Sequence, residues 1–308
     1  MIYVTPLEEV LERLHTEMVS TLEAATFSVP GDVRQNFRDA VIAICRIRHR
    51  SIPPAPRAVL WSRELQMRTL ESSIADALRT IEEESRVGQE LNRRLTRSYK
   101  SAEFNDHFLN DLGIQHLHLG PPESAHNGQV TGTKELLFVV VRPEHLYFLD
   151  VRDHDAFTKS DFLQILSSNW PTILDSCRRS GLYCGSELPP TPEERAHARK
   201  RGVSIYTNMD DHVLGPPGGG VTTAGTSTRA VDDAAEFLRL VHDYYNWVVM
   251  NGDCIADQVC ELTGAKISAL DLRIRCEDDE VVFEDTALNA LIYPKQQTLR
   301  ILVAAIAP

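Results

Sequence analysis

The stretch Gly113-Ile-Gln-His-Leu-His-Leu-Gly120 decides how this chain is read, together with Leu149-Asp-Val-Arg-Asp-His-Asp155 further along. In an extended segment successive side chains point to opposite faces, so His116 and His118 share one face while Leu117 and Leu119 take the other. Asp150, Arg152 and His154 are likewise two apart. Together the segments place imidazoles, a carboxylate and a guanidinium on one polar side of a small sheet.

Between them, Glu135-Leu-Leu-Phe-Val-Val-Val-Arg142 reads as an apolar strand. Pro143-Glu144 before His145-Leu-Tyr-Phe reads as the turn of a hairpin. Phe162, Ile165, Leu166, Trp170 and Ile173 then mark a helix that Pro171 divides. A helix packed on one face of three antiparallel strands leaves the opposite face open for chemistry.

Working outward, Leu7, Leu11, Leu14, Met18 and Leu22 recur at helical spacing, as do Val33, Phe37, Val41 and Ile44. Pro53-Pro54-Ala-Pro56 breaks the chain before a third, longer helix. Its stripe of Met67, Leu70, Ile74, Ala77 and Ile81 is interrupted by Glu84 and Gly88 and resumes at Leu91 and Leu95. That stripe serves either an intramolecular helix packing face or a homodimer through residues 58–99.

Beyond residue 190 the sequence predicts a short basic helix (193–201), a strand at 203–207, the Gly-rich loop 215–227 and an amphipathic helix over 232–250. A helix ended by Gly264 and an antiparallel C-terminal sheet follow. The expected class is therefore α+β, in three modules. These are a helical module over 1–100, a central small antiparallel sheet with helices on one face over 101–190, and an acidic α+β module over 191–308.

The chain has 308 residues, 43% of them hydrophobic, enough for real cores. Its net charge of -12 argues against uniform coating of nucleic acid, but hides an asymmetry. Residues 32–100 carry fourteen basic against nine acidic groups, and residues 205–285 five against sixteen. The six cysteines show no CxxC pair, which suits reduced thiols. The N-terminus turns acidic at once, unlike a signal peptide, and no apolar run nears the roughly 20 residues of a membrane helix. A cytoplasmic protein is expected.

His116, His118, Asp150, Arg152 and His154 admit two chemistries. In one, imidazoles exchange protons with an RNA 2′-hydroxyl and a leaving oxygen while Arg152 neutralises phosphate charge, and no cofactor is needed. In the other, the pair His116 and His118 with Asp150 or His154 holds a divalent metal such as zinc or manganese, as in a metal-dependent phosphoesterase. The plain alternative is a polar, solvated sheet face. Arg93, Arg94 and Arg97 form the densest basic stretch and suit phosphate contacts. The Gly-rich loop lacks a P-loop ending, so a flexible connector explains it more simply than a phosphate cradle, and Thr222, Thr223, Thr226 and Ser227 are N-cap candidates.

The succession Gln115-His-Leu-His-Leu-Gly, Glu135-Leu-Leu-Phe-Val-Val-Val-Arg and Leu146-Tyr-Phe-Leu-Asp-Val-Arg-Asp-His-Asp-Ala-Phe157 resembles the core of RelE-type toxin ribonucleases over residues 101–175. That resemblance implies a compact antiparallel sheet presenting basic and His side chains to messenger RNA. By position it makes Arg142, Arg152 and His154 the cationic and acid–base groups. Phe157 stands where that family often has a catalytic or stacking Tyr. Phe cannot transfer a proton, and Asp150, Asp153 and Asp155 repel phosphate.

The sequence thus points to an endoribonuclease acting on RNA or ribosome-bound messenger, in a toxin or phage-defence setting, with His118 and His154 moving protons. The rival from another class is a non-catalytic interaction or scaffold protein.

Overall fold

The alternation around His116 becomes an edge strand, and the chain has the mixed α+β class expected of it. The computed structural model describes residues 2–121, 128–154, 161–180, 191–209, 212–277, 280–296 and 298–301. In chain order, β1 (Tyr3–Val4), α1 (Leu7–Ala24), α2 (Gly31–Gln35) and α3 (Phe37–Arg50) precede β2 (Ala58–Trp61), α4 (Arg63–Gln66) and α5 (Ser72–Arg86). Then come α6 (His107–Leu112), β3 (Gln115–His118), β4 (Leu136–Val141), β5 (His145–Arg152), α7 (Phe162–Asn169), β6 (Arg178–Arg179) and α8 (Pro192–Lys200). After β7 (Thr207–Met209) and β8 (His212–Leu214) follow α9 (Thr228–Met250), α10 (Gly252–Thr263) and β9 (Ala269–Leu270). Strands β10 (Leu272–Glu277), β11 (Glu280–Asp285), β12 (Ala290–Tyr293) and β13 (Thr298–Ile301) come last.

The chain divides into two compact units, Met1–Ala43 with Asp232–Pro308, and Ile44–Val231. These lines fall elsewhere than the cuts at 100 and 190 drawn from the sequence. The reason is a long-range pairing: β1 lies parallel to β9, Tyr3 opposite Ala269 and Val4 opposite Leu270. The Thr5 hydroxyl donates to the Leu270 carbonyl (3.0 Å) and accepts from the Leu272 N–H (3.1 Å). In this unit Val10, Val241, Val248, Ile255, Leu272 and Phe283 form one core. Strands β10 to β13 make the expected antiparallel meander, and Gly264 ends α10 in the left-handed conformation (φ 71).

The other unit is built on a four-stranded sheet ordered β2-β5-β4-β3. Strands β3, β4 and β5 are antiparallel neighbours, as the hairpin at Pro143-Glu144 predicts, but β2 adds a parallel fourth strand beside β5. The third long helix is thereby corrected. Ala58-Val-Leu-Trp61 is extended, Ser62 caps the short α4 by accepting from the Leu65 N–H (3.0 Å), and the long helix begins only at Ser72. Leu78 and Ile81 are fully buried within the unit while Met67 is 80% exposed, so the apparent heptad seam is not one continuous face.

A register shift between Phe138 and Val139 sets which side chains share a sheet face. Val139 pairs with Phe148 and Phe138 with Asp150, leaving Leu149 as the extra residue of a bulge. His116, Phe138 and Asp150 therefore line up across the sheet, as do His118, Leu136 and Arg152. This face is not open. Phe162 of α7 lies 4.7 Å from the Phe138 ring and Phe108 of α6 lies 5.7 Å from it, centroid to centroid. Leu136 to Val140 are all buried, so both faces of β4 are covered and only the sheet margin is left for the histidines.

The Gly-rich loop packs against the end of α6. Gly218 donates its N–H to the Asp111 carbonyl (3.2 Å) and Gly220 to that of Asn110 (2.7 Å). A Cβ on Gly218 would lie 1.9 Å from the Leu109 carbonyl oxygen. Of the four N-cap candidates, Ser227 does the capping, its hydroxyl accepting from the Ala230 N–H (3.3 Å). Among the described residues no helix is long and apolar enough to cross a membrane.

Candidate functional site

Strand β3 carries His116 and His118 to the sheet edge, and β5 delivers His154 just past its last residue, Arg152. The rings of His116 and His118 lie 6.2 Å apart, and those of His118 and His154 6.4 Å apart, centroid to centroid. Three imidazoles from strands that are not sheet neighbours thus converge at one margin. The Thr133 N–H donates to Nδ1 of His118 (3.1 Å). Nδ1 of His154 stands 3.3 Å from the Lys134 carbonyl oxygen.

Burial disfavours the charged imidazolium, and the positive neighbours add to it. Burial, then His154, brings His116 down to about 4. Burial, then His116, His154 and Arg97, brings His118 down to about 4. Both rings are neutral near pH 7, and Arg97 is close enough for its charge to act on His118.

Asp150 and Arg152 face the same way but form a separate cluster. The Arg152 Nε donates to Asp150 Oδ2 (2.7 Å), and its Nη1 donates to both oxygens of Asp161 (2.8 and 2.7 Å). Arg68 holds the other Asp150 oxygen (2.6 Å). Burial works against the Arg152 charge, but these carboxylates outweigh it and raise its pKa. The guanidinium also lies over the Phe162 ring, 4.5 Å from its centroid. An open cleft of about 490 Å³ is lined by Glu64, Arg68, Asp150, Arg152, Asp153 and Asp161. With four carboxylates against two guanidinium groups, it is a poor seat for a phosphate.

Asp150 is therefore turned to arginines, and the metal set of His116, His118 and Asp150 is not assembled. Among the described residues no group of three His, Cys, Asp or Glu side chains gathers as metal ligands do.

The other expected contacts scatter. Arg94 is fully buried, its Nε and Nη2 on the two oxygens of Glu84 (2.7 and 2.9 Å) and its Nη1 on the carbonyls of His118 and Gly120 (3.2 and 2.9 Å). Arg93 is half-buried and donates to Glu84 (2.6 Å). Arg94 is thus withdrawn from solvent, while Arg93 keeps 28% of its side chain exposed. Arg142 follows the far end of β4, roughly 20 Å along the strand from Leu136, the partner of His118. Of the cations expected to bind substrate, Arg97 alone stays both exposed and near the imidazoles. Phe157 lies outside the described residues.

Thr133, Lys134 and Glu84 were not legible as site-shaping residues. Thr131-Gly-Thr133 reads as a polar loop, because its contribution is made by backbone groups. Glu84 did leave a signal, since a carboxylate interrupting an apolar stripe calls for a buried cation to meet it.

Fold and site together define a mixed α+β unit whose sheet margin carries three imidazoles beside the exposed Arg97. No family model, no curated protein and no solved structure matches this chain.

Proposed function

We propose that the unit built on the four-stranded sheet cleaves RNA with His118 and His154, in a cytoplasmic toxin or phage-defence setting. The observation that carries this reading is the 6.4 Å approach of two imidazoles delivered by β3 and by the exit of β5. Side chains so far apart in sequence meet at one sheet margin, with His116 beside His118 and the Arg97 charge acting on it. The likeness to RelE-type ribonucleases belongs to this proposal, and the antiparallel run of β3, β4 and β5 with helices against it is consistent with it.

In this reading His154 moves the proton, and His118, neutral near pH 7, donates a hydrogen bond to the phosphate. Arg152 is spent on Asp150 and Asp161, so charge neutralisation falls to Arg97. The test is cleavage of labelled RNA, naked and ribosome-bound, with and without EDTA, beside a His118→Ala, His154→Ala double variant. Cleavage that survives chelation and disappears in the variant is expected. EDTA-sensitive cleavage would instead support the metal-dependent phosphoesterase.

One observation favours a non-catalytic interaction protein as the second reading. Within the basic segment 32–100, Arg50 and Arg94 are buried and Arg93 is paired with Glu84, which withdraws these cations from a polyanion. No cleavage of either RNA form would move the weight there. A homodimer through 58–99 would have to use Met67 and the outer edge of β2, because Leu78 and Ile81 are already buried.

A further inference from the structure

We propose that the protein holds one buried water molecule at the base of β3, bonded to Arg50 Nε and Gln115 Oε1 in a cavity that both residues line. The site goes beyond the ribonuclease reading and does not depend on it.

Both residues are fixed through their other polar atoms. Arg50, the last residue of α3, is 4% exposed. Its Nη1 donates to the Phe104 carbonyl (2.8 Å) and its Nη2 to those of Tyr99 and Ser101 (3.0 and 2.6 Å). Gln115, the first residue of β3, is 5% exposed, and its Nε2 donates to the Arg50 carbonyl (2.8 Å). A carbonyl can only accept, so that bond assigns the amide and makes Oε1 the atom on its other branch. Arg50 Nε and Gln115 Oε1 are then left over. Both are buried, and among the described residues neither has a hydrogen-bond partner. Groups of this kind are costly to leave dry.

One cavity has both residues in its wall, together with Thr96, Asp106 and His116. About 10 Å³ of it is open to the centre of a water-sized sphere, which is room for a single water molecule. Size therefore limits the ligand to one heavy atom.

Chemistry then selects among such ligands. The occupant must accept from the Nε–H and donate to the amide oxygen. Burial, then the charge of Arg46, brings Arg50 down to about 10, so its guanidinium is still charged near pH 7 and repels a cation. An anion has no proton to give Oε1, and an apolar atom would satisfy neither group. Water does both. A second cavity of the same size shares Arg50, Phe104 and Asp106 but adds Asn105, Asn110 and Ser227, and Gln115 is not in its wall. Gln115 is what distinguishes the proposed site.

The test is a crystal structure of the full chain at a resolution that shows ordered water, with oxygen-17 relaxation dispersion of the same protein in solution. A water within about 2.7–3.2 Å of both Arg50 Nε and Gln115 Oε1 is expected. In solution Gln115→Leu should lose about one long-lived water per chain relative to the parent. A dry cavity, a water bonded to only one of the two atoms, or a water in the second cavity alone would overturn the proposal, and these outcomes need no variant to fold. An unchanged dispersion amplitude in a folded Gln115→Leu chain would overturn it as well.

Discussion

Arg94 lies wholly inside the protein with both carboxylate oxygens of Glu84 on it, at 2.7 and 2.9 Å. The same guanidinium reaches the carbonyls of His118 and Gly120, so this pair holds the strand edge that carries the histidines. Removing one partner strands a buried charge. Glu84→Ala is expected to cost about 3–5 kcal/mol in urea unfolding. Arg94→Lys should not restore stability, because an ammonium cannot make the two-pronged contact. A loss near zero would mean that the pair is hydrated in solution.

Stability should fall with acid through the histidines. His116 and His118 titrate near 4 when folded, against 6.5 for a free imidazole. Between those values the unfolded chain binds more protons, so their contribution is fully present above about 6.5 and is lost as pH falls through about 4. Asp106 acts oppositely, because burial raises its carboxyl. Urea midpoints followed from neutral to mildly acid pH should therefore drop less in His118→Gln than in the parent chain. Parallel curves for the two proteins would contradict the burial argument.

Asp161 neutralises Arg152 with two hydrogen bonds at 2.8 and 2.7 Å. Replacing it by Asn keeps the shape and removes one negative charge from the cleft. Asp161→Asn should bind single-stranded RNA several-fold more tightly, with a salt dependence steeper by about one unit of slope. Unchanged affinity in fluorescence anisotropy would place the cleft off the RNA path.

Two glycines of one loop should respond differently. A Cβ on Gly218 would meet the Leu109 and Asn110 carbonyl oxygens at 1.9 and 2.4 Å, whereas one on Gly225 meets nothing within 4 Å. Gly218→Ala therefore requires backbone to move, costing about 3 kcal/mol or more. Gly225→Ala bears only its positive φ of 77, about 1–2 kcal/mol. Equal melting temperatures for the two variants would mean that the loop does not pack on α6.

Local pattern was legible wherever a segment's neighbours were close in sequence. Helices α1, α9 and α10, the β4–β5 hairpin and the C-terminal meander follow from hydrophobic spacing, turn residues and Gly264. Strand β2 was not legible, because Ala58-Val-Leu-Trp61 is short and its pairing with β5 lies far along the chain. The inward turn of Arg50 and Arg94 was hidden for a similar reason. Arg50 is met by the carbonyls of Tyr99, Ser101 and Phe104, and Arg94 by a carboxylate on another element.

By itself the sequence determined that His116 and His118 share one side of their strand, and Asp150 and Arg152 one side of theirs, because side chains alternate along extended backbone. Whether those two sides coincide was decided only by the bulge at Leu149, which shifts the pairing so that Phe138 meets Asp150. A slip of one residue exchanges the faces of a strand, and no periodicity within β5 reports the register of its partner. The fold likewise decided which cations face the histidines, since burial and pairing withdrew Arg94 and Arg152 and left Arg97.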